Sequence, residues 1–106
     1  MNASSKLRVV TDYDKLPESI LEQIKLTYPR GYSDYLISFL NKEGKSINGL
    51  RFETDEKIYL IRMTETQAEN IISDDDDYDD DGNLLDEVKE EYEEKYPDVD
   101  FENNLD

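Results

Sequence analysis

Seven aspartates and one tyrosine stand together from Asp74 to Gly82, reading Asp-Asp-Asp-Asp-Tyr-Asp-Asp-Asp-Gly, and this run limits the possible folds more than any other feature. Aspartate is a poor helix former and neighbouring like charges repel, so no regular helix continues through it. The run also separates two chemically different parts. Residues 1–73 carry 10 Lys or Arg and 11 Asp or Glu, net −1, whereas residues 74–106 carry 2 basic and 17 acidic residues, net −15. The net charge of −16 is therefore almost entirely local. The expected organisation is an α+β domain over 1–73, a polyaspartate linker over 74–82, an acidic amphipathic helix over 83–97 and a disordered tail over 98–106.

Within the first part, hydrophobic periodicity supplies the elements. Lys6 to Val10 is a short β-prone run, equally readable as an edge strand or an extended lead-in. Asp14 is placed to cap a helix in which Leu16, Ile20, Ile24 and Tyr28 recur at four-residue steps. Tyr28-Pro29-Arg30-Gly31 ends it, because proline disfavours helical geometry in the residue before it. Alternation then predicts strands over 35–40, 47–53 and 57–63, joined by turns at 41–44 and 54–57, with a bulge at Asn48-Gly49. Thr64-Glu-Thr-Gln67 has the capping-box pattern and opens a helix of about ten residues whose stripe is Ala68, Ile71 and Ile72. The expected fold is thus a small α-β-β-β-α domain built on a three-stranded antiparallel meander. Tyr28, Tyr32, Tyr35 and Tyr59 read as its bulky core and rim, with a recognition surface as the alternative. After Gly82, Leu85, Val88, Tyr92 and Tyr96 form a narrow stripe on an otherwise acidic helix, whose charge favours leaving it loose.

Composition narrows the chemistry. Cysteine and histidine are both absent, so there are no disulfides, thiolate or imidazole metal ligands, cysteine nucleophiles or imidazole bases. A non-enzymatic protein without cofactors is expected. The longest apolar stretch, Ile58 to Met63, is interrupted by Arg62 and too short to span a bilayer, which suggests a soluble, cytoplasmic protein. The acidic part repels anionic lipid and nucleic acid, so neither membrane nor direct DNA or RNA binding is expected. A monomer is favoured over an oligomer.

One metal-loop pattern competes with the plain linker. Asp77, Asp79, Asp81 and Gly82 satisfy the first half of a calcium-loop consensus, with Leu84 at the eighth position. The twelfth position is Val88 instead of glutamate, and Glu87 falls one residue early, a slip of about 100° on a helix. A calcium-binding helix-loop-helix over 77–88 is therefore the alternative to an acidic arm. Arg30, Arg51 and Arg62 would form a weak basic patch unless paired with Glu53, Asp55 or Glu56.

Several segments, Val10 to Leu16, Tyr28 to Tyr32, Asn41 to Lys45 and Thr54 to Met63 followed by the aspartates, resemble a group of short acidic proteins of the Bacteroidetes, mostly without assigned function. The resemblance covers about residues 8 to 82 and contains no chemical motif. Some members carry the name DNA primase, which this sequence does not support, having no zinc ligands and no basic surface. The layout is also similar to that of the delta subunit of bacterial RNA polymerase, a folded domain followed by an acidic tail. The functional expectation is an interaction module. Its domain docks a protein partner and its acidic tail engages or shields a basic protein surface, as on the transcription or translation machinery.

Overall fold

The structure, a computed structural model, describes residues 6–99; residues 1–5 and, of the expected tail, residues 100–106 lie outside them. It is a small α+β domain with strands β1 (Leu7–Asp12), β2 (Ile37–Leu40), β3 (Ser46–Glu53) and β4 (Lys57–Arg62). Its helices are α1 (Glu18–Thr27), α2 (Glu65–Ser73) and α3 (Asp86–Lys95).

The sheet has four strands in the order β1-β4-β3-β2, which corrects the expected three-stranded meander. β2, β3 and β4 do pair antiparallel in sequence order, but β1 adds to β4 in parallel, Leu7 opposite Lys57 through Asp12 opposite Arg62. Helix α1 carries the chain from β1 at one edge to β2 at the other, the crossover that parallel strands require. A short β1 with few buried positions gives only a faint signal on its own. It becomes a strand by completing the edge of β4.

Local corrections have local causes. Pro17 takes the cap position of α1 in place of Asp14, and the residues before it form a single 3-10 turn, Tyr13–Lys15. Proline's fixed φ and missing N–H suit the start of a helix and not its interior. Ser33–Tyr35 forms another such turn, so β2 starts at Ile37 instead of Tyr35. α2 begins as expected: the Thr64 hydroxyl accepts from the Gln67 amide at 3.1 Å while the Gln67 side chain accepts from the Thr64 amide at 2.9 Å. This pair satisfies two amides that the first helical turn leaves unpaired.

Directly opposed residues of a sheet share a face, so the register sorts the side chains. Val9, Leu50, Phe52, Tyr59 and Ile61 point to one side, where they meet Leu16, Ile24, Tyr28, Ala68 and Ile72 of the helical layer. The opposite side carries Val10, Gly49, Arg51, Leu60 and Arg62, and none of these belongs to the core cluster.

No bulge interrupts β3 at Asn48-Gly49; the pairing runs unbroken on both sides. Gly49 serves close approach instead. A Cβ there would lie 2.5 Å from the Ile61 carbonyl oxygen and 2.7 Å from Cε1 of Phe39, whose ring lies across the glycine. Gly49→Ala is expected to lower the unfolding free energy by about 2 kcal/mol or more through overpacking. Ser46→Ala, exposed on the same strand, should stay within about 0.5 kcal/mol. Urea unfolding of the two variants checks this.

Candidate interaction surface

As far as Tyr96 the acidic part does not leave the domain. Residues 74–82, expected as a linker, turn back on α1, and Tyr78 and Leu84 enter the core at 6% and 5% exposure. These two pair across a single antiparallel bridge. Charge repulsion suggested a loose segment. What overrides it is a set of specific partners on α1 and on the Tyr28–Tyr32 turn.

Lys25, in the last turn of α1, is the first of these. Its Nζ lies 2.7 Å from Asp75 Oδ2 and 2.8 Å from Asp77 Oδ2, with the lysine side chain only 13% exposed. Asp77 Oδ2 also accepts the Tyr92 hydroxyl of α3 at 2.8 Å, so one ammonium and one phenol tie three segments together. Burial alone would raise the Asp77 carboxyl, but the hydrogen bonds from Lys25 and Tyr92 and the charge of Lys25 outweigh it and hold the group below the usual carboxylate value. Burial would likewise lower Lys25, and the hydrogen bonds and charges of Asp75 and Asp77 reverse that, leaving it raised. Burial and the bond to Asp77 push the Tyr92 phenol up, so it stays a donor.

Backbone pairing completes the attachment. The Leu84 amide donates to the Pro29 carbonyl at 2.7 Å, and the Leu85 amide to the Asp77 carbonyl at 2.9 Å. The Tyr78 hydroxyl donates to the Tyr28 carbonyl at 3.1 Å, and its ring meets that of Tyr32 edge-on at 6.3 Å. Tyr32 is 1% exposed, and its hydroxyl and that of Tyr13 are 2.8 Å apart. The tyrosines are thus core, Tyr35 being half-buried at the rim. Asp79 closes the turn, its Oδ1 accepting the amides of Asp81 and Asn83 at 2.9 and 3.0 Å, with Gly82 at φ +82° where an L side chain is strained.

α3 is shorter than the expected 83–97 helix, and it is not loose. Val88 packs against the core, Tyr92 is buried, and Glu22 of α1, itself 7% exposed, receives Lys95 Nζ at 3.2 Å and the Tyr96 hydroxyl at 2.7 Å. Fully buried Leu26 lies one turn beyond Glu22, on the same side of α1.

The three residues of the calcium-loop pattern therefore have separate positions: Asp77 faces Lys25 and Tyr92, Asp79 is used by its own turn, and Asp81 is exposed at the tip. Among the described residues, no three acidic side chains gather into a group able to hold a metal ion. What the fold presents outward is an array of carboxylates. Asp74, Asp76, Asp80 and Asp81 are exposed on the turn, and Glu87, Glu90, Glu91 and Glu94 along α3. Every buried side-chain nitrogen and oxygen among the described residues has a hydrogen-bond partner. None of the described helices is long and apolar enough to cross a membrane. Sequence reasoning missed Lys25, Tyr78 and Leu84. Their only signals were a lone aromatic inside an aspartate run and a lysine on the flank of an amphipathic helix.

Two measurements follow. Leu84→Ala should cost about 3 kcal/mol, as for a core leucine, where a linker residue would cost under about 0.5 kcal/mol. Second, a carboxyl held below its unfolded value adds stability above that value and loses it as pH falls through the folded one. The unfolding free-energy gap between the native chain and Asp77→Asn should therefore be level from about pH 5 to about pH 8 and shrink below about pH 4. Chemical denaturation across pH reads both.

No protein-family model, curated protein or solved structure matches this chain.

Proposed function

We propose that the protein is a non-enzymatic interaction module whose acidic surface, residues 74–94 together with Asp98, engages or shields a basic surface of another protein. The observation that supports it is the outward carboxylate array on a structured turn and helix, fixed to α1 through Lys25. Carboxylates held in place pay less ordering entropy on binding than those of a flexible arm. They also repeat along α3 at the three- and four-residue steps that set charges in rows on one helix face. Such a surface steers cationic partners over distance, and its attraction weakens with salt. Basic proteins of the transcription or translation machinery have the required chemistry, and the module would compete there with nucleic acid.

A truncation after Ser73 would remove Tyr78, Leu84 and Tyr92 from the fold along with the charge, so charge must be removed without shortening the chain. The variant is the fourfold Glu87, Glu90, Glu91 and Glu94→Gln, all exposed. The native chain is expected to retain basic proteins on an affinity matrix at low salt and to release most of them as the Debye length falls from about 10 Å to about 3 Å at 1 M salt. The fourfold variant should retain few at any salt. Recovery of the same partners by both chains at low and moderate salt would mean that the acidic face has no such role.

A further inference from the structure

Among the described residues, all three helices belong to one side of the sheet, since α1, α2 and α3 each send side chains into the single core cluster. The other side is not the polar surface usual for a half-solvated sheet. The register places Val10, Ile37, Phe39, Ile47, Ile58 and Leu60 on it. Val10 and Ile37 are 41% and 40% exposed, while Leu60 is 5% exposed although it lies outside the core cluster. Its opposite neighbours are Val10 and Arg51, with Arg62 two residues along its own strand, so long arginine stems lie about it.

The charges around this face differ in sign from the rest of the molecule. Arg8, Arg51 and Arg62 project from it; Lys6 pairs with Glu53 and Lys15 with Asp12 at its ends. Arg51 also holds Glu53 at 2.6 Å, and Arg62 holds Asp12 at 2.9 Å. Five cations thus surround an apolar strip with two carboxylates among them. Arg8 is exposed and has no carboxylate partner among the described residues. Arginine and aromatic side chains are the types enriched in protein interfaces, and lysine and glutamate the types depleted.

We infer that this outer sheet face is a second docking surface, and that its occupant is an amphipathic helix of another protein with carboxylates along the edges of its apolar stripe. Charge complementarity carries the choice. A second copy meeting the face symmetrically would set Arg8, Arg51 and Arg62 against their own equivalents, and nucleic acid offers phosphates without the apolar stripe. Size agrees: four strands about 4.8 Å apart make a patch roughly 15–20 Å across, the footprint of one helix of about 10 Å diameter and less than the roughly 800 Å² per partner of a standard subunit interface. A helix laid there would supply the third layer of an α/β sandwich. This inference is independent of the acidic-face reading, and either can fail alone.

The test uses the full chain and two synthetic amphipathic peptides of about 14 residues, alike in apolar stripe, one edged with glutamate and one with lysine. Amide spectra of the isotope-labelled protein are followed by titration and assigned residue by residue, which separates the sheet face from the carboxylates of α3. The glutamate peptide is expected to give saturable shifts at residues 8–10, 47–51 and 58–62, with the lysine peptide about tenfold weaker there, as two or three partly exposed ion pairs would produce. The double variant Arg8→Glu with Arg51→Glu should reverse that order. Val10→Ser, at a site already 41% exposed and therefore tolerable for folding, should weaken both peptides at this face. The inference is overturned by any of four results: no shifts on the face, equal affinity of the two peptides, a dimer in sedimentation that Arg8→Glu abolishes, or binding of phosphatidylserine vesicles where the glutamate peptide does not bind.

Discussion

A single ammonium group, Nζ of Lys25, makes the rest of the arrangement possible. Without it, Asp75 and Asp77 would bring two half-buried negative charges against a helix that already carries Glu22 and Glu18, at a desolvation cost that the hydrogen bonds from the Tyr92 hydroxyl and the Asp77 amide would offset only in part. With it, both carboxylates are paired, and Asp77 has capacity left to receive the Tyr92 hydroxyl. The side chains beyond them, Tyr78 and Leu84, then complete the core that α1, α2 and the sheet leave open. The most hydrophilic stretch of the chain is in this way a source of apolar contacts.

The same geometry divides the aspartates by use. Asp75 and Asp77 are turned inward to a cation and Asp79 to backbone amides, while Asp74, Asp76, Asp80 and Asp81 remain in water. Local self-repulsion is limited because Lys25 offsets one of the two charges turned toward it and the outward ones are screened by a solvent of high dielectric constant. The molecule consequently has two unlike exteriors. One is a field of carboxylates on the turn and α3; the other is an apolar sheet face edged with arginine. The helices that carry the first pack on one side of the sheet and the second is its other side, so each can be occupied without displacing the other.

Features that depend on near neighbours were legible in the sequence. The capping box at Thr64, the helix stop at Pro29 and the turns around residues 41–44 and 54–57 rest on residues within four positions of one another. Features made by distant partners were not. β1 needs β4, fifty residues away, to become a strand, and nothing in Leu7 to Asp12 indicates a parallel edge. Asn48-Gly49 looked like a bulge because glycine in a strand often marks one; only the position of the Phe39 ring reveals the other reason for glycine. The aspartate run was the hardest case. Its composition argues for a linker, and the argument fails because Lys25 lies 50 and 52 residues upstream of its partners.

That separation has a bearing on how the chain is made as well as on how it stands. Synthesis delivers β1 and α1 first, yet β1 cannot pair before β4 exists, and the flank of α1 around Lys25 and Glu22 has no partners before residues 75–96 follow. A nascent chain as far as Ser73 has all four strands but an unfilled core, the kind of species that chaperones retain and proteases cut. Contacts of such high sequence separation also slow the search for the native state, because loop closure must precede the interactions that reward it. The acidic segment joins the fold after the four strands and two helices before it are made, and until then the exposed first part, at net −1, has little charge of its own to keep it apart from its neighbours.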